Sequence, residues 1–311
     1  MTQERFLITG ALGCIGAWSC AQLVRENVPV FLYDLSTNRE RLELVMSPEE
    51  LEQLTLVRGD VTDLEQLECT VAEYGITHIV HLAAMLLPLV KADPPRGAAV
   101  NVVGTTNVFE AAKREGVRGI AYASSAAVYG PGSGPRIGDA GQPTTLYGVF
   151  KLANEGTAEV YFEDDGIGSV GLRPYVVYGP GRDQGLTADP TLAMEAAARG
   201  DGYEIRWGGR CQLQFAPDAA HIFIAAAPSG HRAAAVFNLG GPSSHASDVV
   251  SAIEAAAPEV AGRITYDDVQ LPFPEEMEEG ALEDVVGPIE WTTLHDGTRQ
   301  TIDLYRARVS V

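Results

Sequence analysis

The chain has 311 residues, of which 46% are hydrophobic and 21% are charged, a composition typical of a globular protein with one large core or two lobes. Its formal net charge is −20, from 42 acidic and 22 basic residues, and it contains no run of lysine or arginine. Such a surface repels phosphate backbones and anionic membranes, so neither nucleic acid nor a membrane is an expected partner.

Metal binding and export are not expected either. The four cysteines lie far apart and the six histidines form no zinc motif, so no metal site is predicted. A strand pattern begins within a few residues of Met1, which leaves no room for a signal peptide, and no apolar run is long enough to span a membrane. The sequence therefore predicts a cytoplasmic protein.

The first half of the chain alternates short apolar strands with longer helical patterns. Because strands that alternate with helices form parallel βαβ units, the pattern predicts an α/β fold with a doubly wound, Rossmann-type parallel sheet. The expected strands are 5–10, 28–34, 54–60, 78–84, 119–125 and 168–174, and the expected helices are 14–27, 63–74, 94–116 and 145–162.

Beyond about residue 175 the pattern loosens into a glycine- and proline-rich loop, shorter helices and isolated strands. A strand near 235–241 is expected to return to the main sheet, and the acidic segment 272–284 is expected to be a solvated surface. These features predict a sheet domain over residues 1–175 interleaved with a smaller, substrate-binding lobe over residues 176–311.

The turn "ITGALGCIGAW" joins the first strand to the first helix, with glycines spaced as G-x-x-G-x-x-G. Missing β-carbons let the backbone approach a pyrophosphate, and the helix N-terminus supplies unpaired N–H groups and partial positive charge. A plain glycine turn is the alternative, but the strand–loop–helix context favours a dinucleotide. The predicted cofactor contacts in this turn are Gly10, Leu12, Gly13, Cys14, Ile15 and Gly16.

The second strand ends at Asp34, 18 residues after Gly16. A carboxylate at this position accepts hydrogen bonds from both ribose hydroxyls of NAD and repels the 2′-phosphate of NADP. Arg39 and Arg41 lie nearby and would soften this preference, so NAD is the favoured cofactor.

Two further segments extend the predicted cofactor path. Asp60 and Val61 follow the third strand, where an adenine edge would lie, although Asp60 alone equally fits a helix N-cap or a turn. Leu82, Ala83 and Ala84 follow the fourth strand and would line the path of the ribose and nicotinamide.

Tyr147 and Lys151 lie four residues apart in a predicted helix, so their side chains share one face. A base is needed for the oxidation of a secondary alcohol, in which the oxygen loses a proton while the carbon gives a hydride to nicotinamide. Free tyrosine titrates near pH 10, and a nearby ammonium together with a positive nicotinamide ring favours the phenolate. Lowering the tyrosine pKa by about three units needs roughly 4 kcal/mol, which two cations in a partly dry cleft can supply.

Together these segments resemble the extended short-chain dehydrogenase/reductase superfamily, in its NAD-dependent epimerase/dehydratase branch. They occur in the expected order over roughly the first 180 residues. The matching segments are "TGALGCIG" (9–16), Asp34, "GDVTD" (59–63), "HLAA" (81–84), "NVVGTTNVFEAA" (101–112), "SSAAVYG" (124–130), "YGVFK" (147–151) and "LRPYVVYGPG" (172–181).

The resemblance implies that Tyr147 is the catalytic acid/base, Lys151 its partner and Ser125 the catalytic serine, with Ser124 the less favoured serine. Asn101 matches an asparagine that supports a bound water, and a buried structural role fits it equally well. The resemblance also implies a homodimer that pairs helices near 98–115 and 147–163. Further expected contacts are Pro174 and Val177 with cofactor, and Met85, Ser124, Ser125, Ala126, Tyr175, Arg182 and Gln184 with substrate.

Several positions depart from the pattern of nucleotide-sugar enzymes. Where many such epimerases have an asparagine and an arginine that hold the nucleotide, this chain has Val176 and Cys211, with Arg210 adjacent. Where dehydratases have acidic residues inside the serine motif, Ala126 and Ala127 stand. Dehydration is therefore disfavoured, and a nucleotide-sugar substrate is not the first expectation.

The leading hypothesis is an NAD-dependent enzyme that oxidises a secondary hydroxyl of a small carbohydrate or sugar acid. It either releases the ketone, as a dehydrogenase, or returns the hydride to the other face, as an epimerase. Three alternatives stay open: a nucleotide-sugar epimerase that uses Arg182 and Arg210, an enzyme similar to threonine dehydrogenases acting on a hydroxy amino acid, and a non-catalytic NAD sensor.

Overall fold

The computed structural model describes residues 3–229 and 233–309. Within them, the main layer is a seven-stranded sheet in which every neighbouring pair of strands is parallel. Its strands in chain order are β1 (Phe6–Thr9), β2 (Val30–Asp34), β3 (Thr55–Arg58), β4 (His78–His81), β5 (Gly119–Ala123), β6 (Ser169–Arg173) and β10 (Ala234–Asn238).

The predicted α/β fold with a doubly wound parallel sheet is confirmed. The strands lie in the order β10–β6–β5–β4–β1–β2–β3, so the chain moves outward from β1 in one direction and then crosses to its other side at β4. A crevice forms at such a reversal, outside the carboxyl ends of the strands, and ligands bind there in sheets of this type.

Helices cover both faces of this sheet and build the second lobe. They are α1 (Cys14–Arg25), α2 (Glu40–Val45), α3 (Pro48–Leu51), α4 (Leu64–Glu73), α5 (Leu87–Ala92), α6 (Pro94–Ala98), α7 (Gly104–Glu115), α8 (Leu146–Asp165), α9 (Asp189–Ala198), α10 (Ala216–Ala226), α11 (Ala246–Ala256), α12 (Leu282–Val286) and α13 (Leu294–Val309). None of the described helices is long and apolar enough to cross a membrane.

Burial on both faces of the sheet explains why most of these strands appear in the sequence as short apolar runs. The side chains of β1, β4, β5 and β6 are almost all buried. Residues of α1 and α10 pack into the core on one face of the sheet, and residues of α4, α7 and α8 pack into the core on the other.

The second lobe contains two small sheets. Strands β7 (Val176–Tyr178), β9 (Arg210–Phe215) and β11 (Ser243–His245) form a three-stranded sheet, and β8 (Tyr203–Ile205) pairs with β12 (Ile264–Tyr266). Their core includes buried side chains of α9, α11 and α13.

The two parts interleave through β10. This strand pairs in parallel with β6 at the edge of the main sheet, and the α10 segment before it packs into the same core as α1. A strand returning near 235–241 is therefore present, ending at Asn238. The boundary at residue 175 stays a prediction.

Two expectations need correction. The predicted single helix 94–116 consists of α6 and α7 joined by a π-helical turn, Ala99–Val103, which contains Asn101. The acidic segment 272–284 is not merely a solvated surface, because its Met277 is buried and exchanges two hydrogen bonds with the side chain of Gln212. The segment was predicted to be solvated because it has many carboxylates, and this composition gave no sign of its few buried residues.

Candidate active site

A cavity of about 640 Å³ opens at the carboxyl ends of the main strands, a size suited to a cofactor with a small substrate. Of the catalytic, cofactor and substrate contacts expected for the leading hypothesis, only Leu12 and Asn101 do not line it. Those that do are Gly10, Gly13, Cys14, Ile15, Gly16, Asp34, Asp60, Val61, Leu82, Ala83, Ala84, Met85, Ser124, Ser125, Ala126, Tyr147, Lys151, Pro174, Tyr175, Val177, Arg182 and Gln184.

The glycine turn between β1 and α1 leaves room for a close backbone approach. Gly10 has a φ of +69°, and a β-carbon on it would lie 2.7 Å from the backbone nitrogen of Ala83. Gly13 is the N-cap of α1 and provides no capping side chain, so the first N–H groups of the helix stay available. A pyrophosphate fits this arrangement, because the turn lines the cavity and supplies hydrogen-bond donors.

Asp34 is held at the end of β2 by two backbone donors. Leu12 N–H donates to Oδ2 and Ser36 N–H donates to Oδ1, each over 2.9 Å. Leu12 thus acts on the site through its backbone although it does not line the cavity. The carboxylate keeps free lone pairs toward the cavity, as recognition of a ribose diol requires.

Arg41 joins the glycine turn to the loop that follows β7. Its guanidinium donates to Leu12 O over 2.9 Å and to Gly181 O over 3.1 Å, and it forms a 2.6 Å ion pair with Asp183. Its charge is therefore paired inside the protein. The predicted softening of the NAD preference by Arg39 and Arg41 stays a prediction.

Asp60 lines the cavity and holds the turn after β3, and its contact with an adenine edge stays a prediction. Its side chain lines the cavity, forms a 2.5 Å ion pair with Arg96 and accepts hydrogen bonds from Thr62 N–H and Oγ1. Burial alone would raise the pKa of this carboxyl, but hydrogen bonds from Arg96 and Thr62 lower it below its usual value. Asp63, not Asp60, caps α4.

The start of α8 brings Tyr147 to the segment that follows β5. Thr145 caps the helix by accepting the Gly148 N–H over 3.1 Å. A β-carbon on Gly148 would lie 2.1 Å from Ala127 O, so only glycine lets the first turn of α8 pack so closely on that segment. The Ser125 side chain accordingly hydrogen-bonds Tyr147, and its Oγ also accepts from Ala127 N–H.

Lys151 lies one turn further along α8 and is buried. Its Nζ lies 5.7 Å from the centre of the Tyr147 ring and donates to Ala123 O over 2.6 Å. The predicted proximity of phenol and amine is thus present in the structure.

The groups of the protein itself raise the phenol pKa, and the predicted lowering depends also on the positive charge of a bound nicotinamide. Burial raises the pKa of Tyr147, while the hydrogen bond from Ser125 and the charge of Arg182 oppose the rise. Burial also lowers the pKa of Lys151 to about 8, against the attraction of Glu155. Desolvation of both groups therefore outweighs the effect of their proximity on these two pKa values.

The sequence did not reveal a buried network of hydrogen bonds and an ion pair next to Ser124. Glu155 accepts the hydroxyl of Ser124 and forms a two-point ion pair with Arg173, at 2.8 Å for both contacts. Glu155 follows Lys151 by four residues on α8, so the helical spacing that paired Tyr147 with Lys151 could have revealed it.

Asn101 lies behind the cavity. Its Nδ2 donates to Met85 O over 3.2 Å, and its buried Oδ1 has no partner among the described residues. This position supports the backbone around Met85, and the choice between a structural role and support of a bound water stays a prediction.

Among the positions that depart from nucleotide-sugar enzymes, Ala126 and Ala127 line the cavity, whereas Val176, Cys211 and Arg210 do not. Val176 and Cys211 are buried in the second core, and Arg210 is exposed and donates to Ser243 O over 3.3 Å. Arg210 is not among the residues that line the cavity.

Several known proteins are similar to this chain. A UDP-glucose 4-epimerase of Mycolicibacterium smegmatis is 33% identical over 240 residues, which cover 73% of this chain and 74% of that protein. UDP-glucuronate 4-epimerase 6 of Arabidopsis thaliana is 34% identical over 189 residues, or 56% of this chain. That match spans only 40% of the plant enzyme's length.

Solved structures agree in fold. The UDP-glucose 4-epimerase of Thermus thermophilus, in complex with NAD, superposes with a TM-score of 0.82 at 24% identity over 97% of this chain and 99% of that one. L-threonine dehydrogenase of Clostridium difficile gives 0.83 at 21% identity over 99% of each chain. The sequence model of the NAD dependent epimerase/dehydratase family matches residues 6–240. The family is NAD-dependent, as predicted for the cofactor, and the chain belongs to this family of extended short-chain dehydrogenase/reductase enzymes.

Proposed function

We propose that the chain oxidises the secondary hydroxyl of a small substrate with NAD, and that Ser125, Tyr147 and Lys151 carry the reaction. The observation that supports this most strongly is that all three line one cavity together with the glycine turn of α1. The small carbohydrate or sugar acid expected from the sequence has the secondary hydroxyl that this chemistry needs. Other hydroxy acids have it too.

Each residue has a distinct task in the proposal. Tyr147 takes the proton of the substrate hydroxyl as general base, and Ser125, which hydrogen-bonds Tyr147, orients the substrate oxygen. Lys151 stabilises the phenolate from its position 5.7 Å from the ring centre. Bound NAD would accept the hydride from the carbinol carbon.

The residues around the glycine turn fit NAD. The turn offers N–H groups to the pyrophosphate, and Asp34 offers carboxylate oxygens to the adenosine ribose. The proposal includes the cofactor contacts named from the sequence, with Leu12 acting through its hold on Asp34.

The test uses a pair of matched tyrosine variants. With NAD and a panel of secondary alcohols, NADH formation reports a dehydrogenase, and inversion of the carbinol centre without net NADH reports an epimerase. Tyr147→Phe should lose at least about 100-fold in turnover, the usual share of general acid–base catalysis, while NAD still binds. Tyr74→Phe, outside the cavity, should leave turnover unchanged. Full turnover in Tyr147→Phe would overturn the assigned roles, whereas binding of NAD without turnover of any substrate by the native protein would favour an NAD sensor.

A second candidate is a nucleotide-sugar epimerase, because the relatives described above act on UDP-sugars. Arg182 would then contact the diphosphate, whereas Arg210 bonds elsewhere. A rise in melting temperature with UDP, GDP or dTDP would support this candidate, and no shift with any of them would remove it.

We also propose that the protein is a homodimer. Along α8, Leu146, Val149, Ala153, Gly156 and Val160 are all exposed and repeat at alternating intervals of three and four residues. This spacing forms an apolar stripe that a second helix can cover. The location in the cytoplasm stays a prediction.

A further inference from the structure

Two apolar walls flank the proposed catalytic residues. Strand β5, which leads into Ser125, lies between β4 and β6 in the sheet. The chain leaving β4 continues into the run Met85–Leu89, whose five residues all line the cavity and carry apolar side chains. On the other side, Tyr175 follows β6 and also lines the cavity. A substrate at Ser125 and Tyr147 would therefore lie between these walls.

The second wall is completed from a distant part of the chain. Leu271, Pro272 and Phe273 line the same cavity, and the Phe273 ring stands perpendicular to Tyr175 with ring centres 5.7 Å apart. Tyr175 is only 8% exposed, so this wall is well packed. Apart from the Tyr175 hydroxyl, which has no hydrogen-bond partner among the described residues, these walls offer few partners to the hydroxyls of a polyol, whereas an aryl or alkyl group would gain from burial.

The cationic side chains of the cavity are mostly engaged. Among the residues that line it, Arg41 is paired with Asp183, Arg96 is paired with Asp60, and Lys151 donates to Ala123 O. Arg182 has no carboxylate partner among the described residues. A second diphosphate beside that of NAD would thus meet one available guanidinium, which suits a singly charged substrate better.

Arg182 has an N–H donor available to bind an anion near the reacting carbon. Its Nη2 donates to Thr187 Oγ1 over 3.1 Å, while its buried Nε has no hydrogen-bond partner among the described residues. Its charge reaches Tyr147 strongly enough to oppose the rise of the phenol pKa. Because Arg182 and Tyr147 line the same cavity, one hydroxy acid can present its carboxylate to Arg182 and its carbinol to Tyr147.

We propose that the substrate is a hydroxy acid with an apolar substituent, whose carboxylate binds Arg182 and whose apolar group lies between Met85–Leu89 and the Tyr175–Phe273 wall. The inference rests on the proposed NAD-dependent oxidation and narrows its substrate class. It replaces the polyol chain of a sugar acid with an aryl or alkyl group and retains the carboxylate and secondary hydroxyl.

The experiment compares substrates that differ in one feature at a time. Purified full-length protein with NAD is given phenyl-substituted hydroxy acids, with the carboxylate on the carbinol carbon or one carbon away. The comparison compounds are the neutral analogues with methyl in place of carboxylate, gluconate as a sugar acid, and UDP-glucose. NADH formation and chiral chromatography of the recovered alcohol detect dehydrogenation and epimerisation.

Two variants test the two ends of the binding mode. Arg182→Gln should lower kcat/KM for the phenyl hydroxy acid by about 10-fold or more relative to its neutral analogue, as expected when a charged hydrogen bond is lost. Taking the ratio cancels any effect of Arg182 on Tyr147 or on NAD. Phe273→Ser should lower kcat/KM for the phenyl acid by about 10-fold relative to lactate. Val269→Ser, an exposed position on the same segment and outside the cavity, is the matched control.

The outcomes separate this inference from the broader proposal. Preference for the phenyl hydroxy acids, with both variant effects, supports the inference. Turnover of gluconate or UDP-glucose in preference to them overturns the substrate class and leaves the oxidation standing. An unchanged acid-to-neutral ratio in Arg182→Gln overturns the carboxylate contact. No turnover of any compound by NAD-bound protein counts against both proposals.

Discussion

The guanidinium of Arg173 and the carboxylate of Glu155 form a two-point ion pair inside the protein, with Nε–Oε1 and Nη2–Oε2 contacts of 2.8 Å. Their side chains are 5% and 9% exposed. Arg173 also donates to the hydroxyl of Tyr129 and to Ile137 O, each over 3.0 Å, so both donors of its Nη1 are engaged. Glu155 accepts from Ser124, next to the proposed catalytic serine. The pair therefore connects α8 and β6 behind the candidate active site.

Removal of one partner of this pair should be strongly destabilising. Glu155→Gln leaves the Arg173 charge buried without a counter-ion, which costs about 3–5 kcal/mol in comparable cases. Urea unfolding at neutral pH measures the change. The control is Asp165→Asn, which removes the exposed pair with Lys113 and should cost no more than about 1 kcal/mol. Equal losses in the two variants would contradict the structural importance assigned to the interior pair.

The sequence predicted those parts of the fold that depend on local pattern. Strands β1, β2, β4, β5 and β6 could be predicted because burial on both faces produces continuous apolar runs, and the pairing of Tyr147 with Lys151 could be predicted from the helical period. The pairing of Arg173 with Glu155 could not be predicted, because it arises only when β6 and α8 pack together. The contact of Phe273 with Tyr175, which lie 98 residues apart in the sequence, could not be predicted either. Local periodicity carries no information on such contacts.

Gly10→Ala should abolish NAD binding. Its new methyl would lie 2.7 Å from Ala83 N, in addition to the strain of a φ of +69°. Gly116 provides a matched control, because its φ of +68° is nearly the same but nothing lies within 4 Å of an added methyl. Gly116→Ala should cost about 1 kcal/mol in stability and keep NAD binding. Calorimetric titration with NAD measures both variants, and NAD binding by Gly10→Ala at the native affinity would refute the role given to this turn.

Asp34→Asn should weaken NAD binding and narrow the preference for NAD over NADP. The neutral amide no longer repels a 2′-phosphate and is a weaker partner for the ribose hydroxyls and for Leu12 N–H. A loss of about 10-fold in NAD affinity corresponds to one charged hydrogen bond. Dissociation constants for NAD and NADP, measured on both proteins, check the result. An unchanged ratio of the two constants would show that Asp34 does not select the cofactor.

His81 should make the protein sensitive to acid. Its Nδ1 lies 2.6 Å from Thr9 Oγ1 and its Nε2 3.0 Å from Thr105 Oγ1, and Thr105 already donates its hydroxyl proton to Asn101 O. These bonds fix the neutral ring with its proton on Nε2, and burial lowers the pKa of His81 to about 3. Since the unfolded chain binds a proton near pH 6.5 and the folded chain does not, stability is retained above pH 6.5 and falls as the pH drops toward 3.

The expected loss is about 1 kcal/mol per pH unit in that window. Denaturant unfolding of the native protein and of His81→Gln between pH 7 and pH 4 measures it. The variant starts less stable but should lose less stability per pH unit. His221→Gln, at an exposed position on α10, should retain the slope of the native protein. Parallel pH profiles for the native protein and His81→Gln would argue against a neutral, buried His81.

The apolar stripe on α8 should hold the proposed dimer together. Val149 and Val160 are 44% and 53% exposed and lie eleven residues apart, close to three helical turns, so they share one face. A β-carbon on Gly156, between them, would meet nothing within 4 Å, which leaves space for a second helix to approach. Val149→Asp with Val160→Asp would bury two charges in such an interface and should give a monomer. Light scattering at micromolar concentration measures the mass, with exposed Val269→Asp as the control. A monomeric native protein, or an equal effect of the control, would exclude this surface as a dimer interface.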